Sequence, residues 1–206
     1  MFESTDLQGI IGMATGADRI AIDAPDQLST APHSGQSWRK PKFRSARCAE
    51  IALGEVEKVW VPWATPTGQS SVPGWMQVGF DVWAWMRAAG HEPLEIYPAG
   101  AFRVLAGKVP PKKTTSAGLH ARIELIEPHV ELPVGIEMWS HDGIDALAGA
   151  LVALWSLDGR ARPVGHDAPE CDSSSIWLPR SSSAEATPRD VWRRAAGSEG
   201  LEPPTF

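Results

Sequence analysis

The chain holds only two cysteines, Cys48 and Cys171, and neither has a CxxC partner. Two are too few for a disulfide framework or a zinc site, so a reducing cytoplasm is the expected compartment. Long hydrophobic runs are missing as well. The most apolar stretch, Ile144 to Trp155, falls short of the roughly 20 residues that span a bilayer, and no membrane contact is expected. Met1-Phe2-Glu3-Ser4-Thr5-Asp6 lacks a basic region followed by an apolar one, so no ordinary secretory signal is expected there. A basic surplus is also absent. With 19 Lys and Arg against 25 Asp and Glu, the formal net charge is −6, which excludes a protein that coats nucleic acid through a generally basic surface. Walker loop, GxGxxG, HExxH and GxSxG patterns do not occur, which removes the common nucleotide-binding, zincin and serine-hydrolase readings.

What is present fits an ordinary globular chain of 206 residues, 43% hydrophobic and 21% charged. Its 19 glycines and 18 prolines imply ordered structure with long turns. The length predicts one domain, over residues 1–179, followed by a polar, Ser-rich tail over 180–206 with a short amphipathic segment at Arg189 to Ala195. Leu7, Ile10, Ile11 and Met13 read as one side of a short helix ending near Gly16, and Arg19-Ile20-Ala21-Ile22 as a buried strand. A polar loop with Arg39, Lys40, Lys42, Arg44 and Arg47 precedes a helix from about Ser45 to Leu53, then an irregular Trp- and Pro-rich stretch from Trp60 to Pro73. Phe80 to Met86, closed by Gly90, reads as a helix, Leu94 to Tyr97 as a strand, and Phe102 to Leu105 as a helical turn. A helix follows from about Ser116 to Glu127. The clearest helix starts at Ser140, buries Ile144, Leu147, Leu151, Leu154 and Trp155, and ends at Gly159. Ile176-Trp177-Leu178 reads as a last edge strand. Strand, helix, strand and further helices define an α/β class with a mainly parallel element.

Acidic residues fall where open α/β sheets present functional side chains. Asp23 ends the first strand, with an Asx turn as its plain structural alternative. Glu95 lies inside a short apolar strand, where a buried carboxylate costs several kcal/mol unless paired or metal-bound, or else faces solvent by alternation. Asp142 and Asp145 share one side of the last helix. The helix dipole accounts for Asp142 alone, whereas Asp145 sits on an otherwise nearly uncharged helix. Carboxylates gathered from two strands and one helix point to an oxygen-rich Mg²⁺ or Mn²⁺ site and to phosphoryl or phosphodiester transfer. His141 is placed to move protons or orient a phosphate, or to serve at the helix start. Arg44, Arg47, Lys112 and Lys113 are candidate phosphate contacts, with Trp38 and Phe43 available for base stacking; a solvated loop is the commoner meaning of such a run. No tryptophan is assigned to a ligand.

Taken in order, Ala21-Ile22-Asp23-Ala24-Pro25, Arg47-Cys48-Ala49-Glu50, Glu95-Ile96-Tyr97-Pro98 and His141-Asp142-Gly143-Ile144-Asp145-Ala146 resemble the family called domain of unknown function 429. The resemblance runs from about Ala17 to Pro179, with the HDxxDA element its most specific part. It implies a ribonuclease H-like fold, three layers α/β/α around a mixed sheet, nuclease activity, and Asp23, Glu95, Asp142 and Asp145 as the acidic site. Of these, Asp23, Glu95 and Asp145 are the expected metal ligands. Such proteins normally begin with a strand carrying Gly-x-Asp and two more strands of a meander. Here the chain begins with what reads as the following helix, and Asp6 lacks that context. Either the true start lies upstream, or the chain is a shortened member without its first strands and one metal ligand, with an exposed sheet edge open to self-association.

The expected function is therefore a cytoplasmic, metal-dependent hydrolase of nucleic-acid phosphodiesters. Two alternatives stand beside it: a non-catalytic domain of the same fold that binds nucleic acid or a partner, and phosphotransfer on a small molecule.

Overall fold

A computed structural model describes residues 14–165, 171, 172 and 174–180, together with Gly9 and Gly12. The expected helix on Leu7, Ile10, Ile11 and Met13, the position of Asp6 and the tail from residue 181 onward lie outside the described residues.

Four strands form one open mixed sheet: β1 (Ala21–Ile22), β2 (Leu94–Ile96), β3 (Ala161–Val164) and β4 (Ile176–Pro179), in the order β1-β2-β4-β3. The pairs β1/β2 and β2/β4 are parallel, and β3/β4 is antiparallel. Ile22 lies opposite Glu95, and Glu95 opposite Ile176, so these three share one face. Ala21, Leu94, Ile96 and Trp177 share the other, because side chains alternate along a strand.

The second face is covered by the longest helix. Ser140 caps it by accepting from the Gly143 N–H at 3.1 Å, the helix runs over His141–Asp158, and Gly159 ends it at φ +80°, a conformation that suits glycine. Ile144, Ala148, Leu151, Val152 and Trp155 pack with Ile96, Ala161, Ala21 and Trp177. Full burial of each large apolar side chain contributes about 1.5–3 kcal/mol. At Gly149 an added Cβ would lie 3.1 Å from Ile96 Cδ1, so this position lets helix and sheet approach closely.

In chain order the helices are α1 (Pro41–Arg44), α2 (Cys48–Glu55), α3 (Gly74–Ala88), α4 (Pro98–Ala106), α5 (Ser116–Ile126) and α6, the long helix just described. Ala49, Ala52 and Leu53 of α2 pack on Val164, Ile176 and Leu178, while Trp83 and Met86 of α3 pack on Ile22 and Ala24. Phe102 of α4 and Ile126 of α5 join the cluster under α6. Hydrophobic clusters thus lie on both faces of the sheet. Among the described residues, no helix is long and apolar enough to cross a membrane.

Several expectations are corrected. Ile176 to Leu178 is not an edge: β4 sits between β2 and β3, and the edge on that side is β3, which the sequence pattern hid behind Arg162 and Pro163. Proline belongs on such an edge because it cannot donate to a ladder. Helix α3 begins at Gly74, and α4 spans Pro98–Ala106 rather than one turn, with Pro98 preset for a first helical position. Cys48 and Cys171 are not separate thiols. They form a disulfide across 123 positions of chain.

Candidate functional site

The pleat decides which carboxylates meet. Glu95 shares its face with Ile22, so Asp23, one residue beyond Ile22, leaves the sheet toward the other side, where the first turns of α6 carry Asp142 and Asp145. Asp23, Asp145 and Lys113 all line one cavity of about 320 Å³, at the C-terminal ends of β1 and β2. Pro62, Trp63, Trp75, Tyr97, Pro98, Ala99 and Arg122 complete its walls.

Lys113 bridges two acids of α6, with Nζ donating to Asp145 Oδ2 at 2.7 Å and to Asp142 Oδ1 at 3.3 Å. It stands just before α5, on a segment held by that helix's cap. Thr115 Oγ1 accepts from the Gly118 N–H at 3.1 Å and donates to the Lys112 carbonyl at 2.8 Å. Burial works against the Lys113 charge, but the hydrogen bond and charge of Asp145 outweigh it, so the ammonium is held above its ordinary value. Asp142 is largely exposed and accepts from Lys113 and pairs with His141 Nδ1 at 2.8 Å. These contacts overcome its slight burial and hold its carboxyl below the ordinary range.

Asp23 behaves in the opposite way. The residue is exposed to solvent, yet protein atoms crowd around its carboxyl. That burial, reinforced by the charge of Asp145 and opposed by Lys113, pushes it from 3.8 up to about 7. Tyr97 is likewise raised, by burial first and then by the charge of Asp23, with Lys113 opposing.

Glu95 belongs to a separate, buried network. Arg47 Nη1 donates to Glu95 Oε2 at 2.7 Å and Nη2 donates to Oε1, while Oε2 also accepts from the Asp26 N–H at 3.0 Å. Asp26 Oδ1 takes a further Arg47 hydrogen at 3.0 Å, and Glu50 and Thr65 close the other side of the guanidinium. Burial pushes Glu95 up to about 7, and the guanidinium pulls against it. Arg47 itself is held above its ordinary value, chiefly by the charge of Glu95 against its own burial. A guanidinium does not give up its proton, and both carboxylate oxygens accept from it, so the two residues form an ion pair once pH rises past about 7.

The expected Mg²⁺ or Mn²⁺ ligand set of Asp23, Glu95 and Asp145 does not fit such an ion. Both Glu95 oxygens are taken on the far face, and the Lys113 ammonium stands where a cation would meet Asp145 and Asp142. Among the described residues, no group of three or more His, Cys, Asp or Glu is placed to hold a metal ion.

The predicted phosphate contacts divide in the same way. Lys113 faces the cavity, and Lys112 is exposed beside it. Arg47 is fully buried as the N-cap of α2 and is not a surface contact. Arg44 donates from Nε to the Arg39 carbonyl and from Nη2 to the Ser37 carbonyl, and it does not line the cavity. His141 pairs with Asp142 and does not line the cavity. Trp38 carries the Arg39 guanidinium 4.2 Å over its ring and Phe43 leans on Trp60, both away from the cavity. The sequence reading missed Trp63, Trp75, Tyr97 and Arg122, whose cavity role depends on contacts between segments far apart in the chain.

Fold and site together define an α/β protein with two carboxylates and a lysine in a small aromatic-walled cavity at strand ends. Residues 81–170 match the family described as Protein of unknown function (DUF429). The matched segment holds Glu95, Lys113, Arg122, Asp142 and Asp145, while Asp23 and Trp63 lie before it. No curated protein and no solved structure matches the chain.

Proposed function

We propose that the cavity hydrolyses a phosphodiester of nucleic-acid type. The observation that carries this reading is the convergence of Asp23, Asp145 and Lys113 on one cavity at strand ends, where open α/β sheets hold their ligands. Lys113 and Arg122 offset charge on the phosphoryl oxygens. Asp145 takes a proton from the attacking water as the new P–O bond forms. Asp23, which titrates at about 7, gives its proton to the leaving oxygen as the old P–O bond breaks. The products are a phosphomonoester and an alcohol, and the proton on Asp145 returns to Asp23 or solvent. The expected metal ligands do not assemble, and these steps use the side chains of the cavity alone.

A single-stranded oligonucleotide and bis(p-nitrophenyl) phosphate, each incubated with chelator and separately with Mg²⁺ or Mn²⁺, test this reading. Cleavage is expected, reduced by about 10²–10⁴-fold in Asp145→Asn and in Asp23→Asn. No product in any of these conditions sinks the proposal. The cavity volume favours one second reading, phosphotransfer on a small phosphate ester, because about 320 Å³ lies at the small end of ligand-binding cavities.

A further inference from the structure

Asp23, Asp145 and Lys113 account for only part of the cavity, and the remainder has a different chemistry. Trp63 and Trp75 stand stacked with ring centroids 5.5 Å apart and planes 23° apart, and Trp63 meets Tyr97 at 5.7 Å. These rings form an aromatic ledge, and Trp75 is 47% exposed, so the ledge is open on one side. Across the cavity, Arg122 is 6% exposed. Its Nη1 donates to the Pro111 and Gly118 carbonyls, both at 2.9 Å, whereas its buried Nε has no hydrogen-bond partner. The guanidinium, part of the cavity wall, lies 5.2 Å over the Phe102 ring, and its fixed positive charge favours an anion inside the cavity without giving up these contacts.

The start of α4 adds to this positive side. Pro98 and Ala99 line the cavity, and no side chain caps the helix at Tyr97. Pro98 has no N–H, and Ala101 is the first residue whose N–H is taken up, by the Tyr97 carbonyl at 3.0 Å. Lys113, Arg122 and a helix start thus face one small volume beside a flat apolar ledge.

We infer that the cavity binds one unpaired nucleotide, with its base on the Trp63–Trp75 ledge and its phosphate among Lys113, Arg122 and the first turn of α4. The inference rests on the phosphodiester reading and narrows its substrate to a single-stranded or extruded unit. Bases within a duplex have both faces covered by neighbours and cannot extend an aromatic ledge. A chain of net charge −6 is also better suited to gripping one phosphate than to tracking a long polyanion.

Calorimetric titration of the full chain with thymidine 5′-monophosphate, thymidine and inorganic phosphate, each alone, tests the inference. The monophosphate should bind one to one, at least about tenfold more tightly than either part. Trp75→Ala should weaken the monophosphate about tenfold while leaving inorganic phosphate unchanged, since Trp75 stacks and makes no phosphate contact. Its exposure makes the substitution safe for folding, which circular dichroism checks. The inference is overturned by no monophosphate binding, by affinity equal to that of inorganic phosphate, or by a Trp75→Ala variant that binds normally. The catalytic reading fails separately. Monophosphate binding with no hydrolysis of its p-nitrophenyl ester would leave a nucleotide site without the reaction, and hydrolysis of bis(p-nitrophenyl) phosphate without monophosphate binding would leave the reaction without the site.

Discussion

Asp23 and Glu95 lie one register step apart on neighbouring parallel strands, yet they serve opposite faces of the sheet. Ile22 is paired with Glu95, so the next residue after Ile22 turns to the α6 side, while Glu95 turns to α2 and Arg47. Two acids that look equivalent in the sequence therefore belong to different systems. Asp23→Asn should lower kcat about 10²–10⁴-fold without lowering the unfolding midpoint, since it removes a carboxylate that folding holds at a cost. Glu95→Gln should do the reverse, costing about 3–5 kcal/mol because it leaves the Arg47 charge poorly paired, with kcat of the folded protein within tenfold of the parent. Steady-state kinetics and urea unfolding on the two variants check the split. A large loss of kcat in folded Glu95→Gln would place Glu95 in the reaction.

The same network predicts a pH-dependent defect in Arg47→Met. Without the guanidinium, Glu95 stays in a site where burial already pushes it up to about 7, so its carboxyl titrates higher still in the variant. Between the parent value and that higher value the variant holds a proton that the parent has released. The parent therefore gains stability over the variant as pH rises past about 7. The deficit should be about 3–5 kcal/mol at about pH 9 and smaller at about pH 6, as read by urea unfolding at both. An equal deficit at the two values would show that lost packing, not the uncompensated carboxyl, sets the cost.

Much of this was visible before the fold. Ser140 and Gly159 framed α6 in the sequence, because capping is written in a few adjacent residues. Asp145 stood out as a lone charge among apolar neighbours, and it does meet Lys113. Glu95 stood out as a carboxylate in an apolar strand, but its partner did not, since Arg47 is 48 positions away inside a run of cations. A charge run gives no sign that one member is the buried N-cap of the next helix. The disulfide was hidden for a similar reason: composition counts cysteines, but only the path of the chain brings Cys171 to Cys48. Trp63 and Trp75 become a ledge only through packing of the irregular segment against the start of α3.

Asp23 should give the reaction a descending pH limb. Its carboxyl is raised to about 7 by burial and by Asp145, so the proton-donating form declines as pH rises through that value. The rate should fall along that limb, and Asp23→Asn should lack it. Stability has the same sign. The folded protein holds this proton more tightly than the unfolded chain, so the unfolding free energy falls as pH rises from about 4 to about 7 and receives no further contribution above that. The difference between parent and Asp23→Asn unfolding curves isolates this contribution, and a difference that rises with pH over that window would contradict the assignment.

The Cys48–Cys171 bond closes 123 positions of chain and ties the segment before β4 to the first turn of α2, beside Arg47. Such a bond restricts the unfolded chain strongly. Reduction, or Cys171→Ser, should therefore lower the unfolding free energy by about 2–4 kcal/mol. Urea unfolding with and without reductant measures the shift. A Cys171→Ser variant that unfolds at the parent midpoint and ignores reductant would show that the bond does not contribute in solution.

Gly118 gives a test of Lys113 that leaves every charged group in place. An added Cβ there would lie 1.9 Å from the Lys112 carbonyl oxygen and 2.6 Å from its carbon, an overlap with backbone that no side-chain rotation relieves. That carbonyl is already fixed by the Thr115 N–H at 3.0 Å and the Thr115 hydroxyl at 2.8 Å. Gly118→Ala must therefore push away the segment that carries Lys113, and it should cost about 1–3 kcal/mol despite the roughly 1 kcal/mol that alanine normally gains over glycine in a helix. The displaced ammonium should leave Asp145, and kcat/KM should fall at least about tenfold. A double-mutant cycle with Lys113→Met separates this from general damage. If the glycine acts by positioning Lys113, adding Gly118→Ala to Lys113→Met should cost little further activity. Full additivity of the two losses would mean that the helix start, rather than the lysine, is what Gly118 protects.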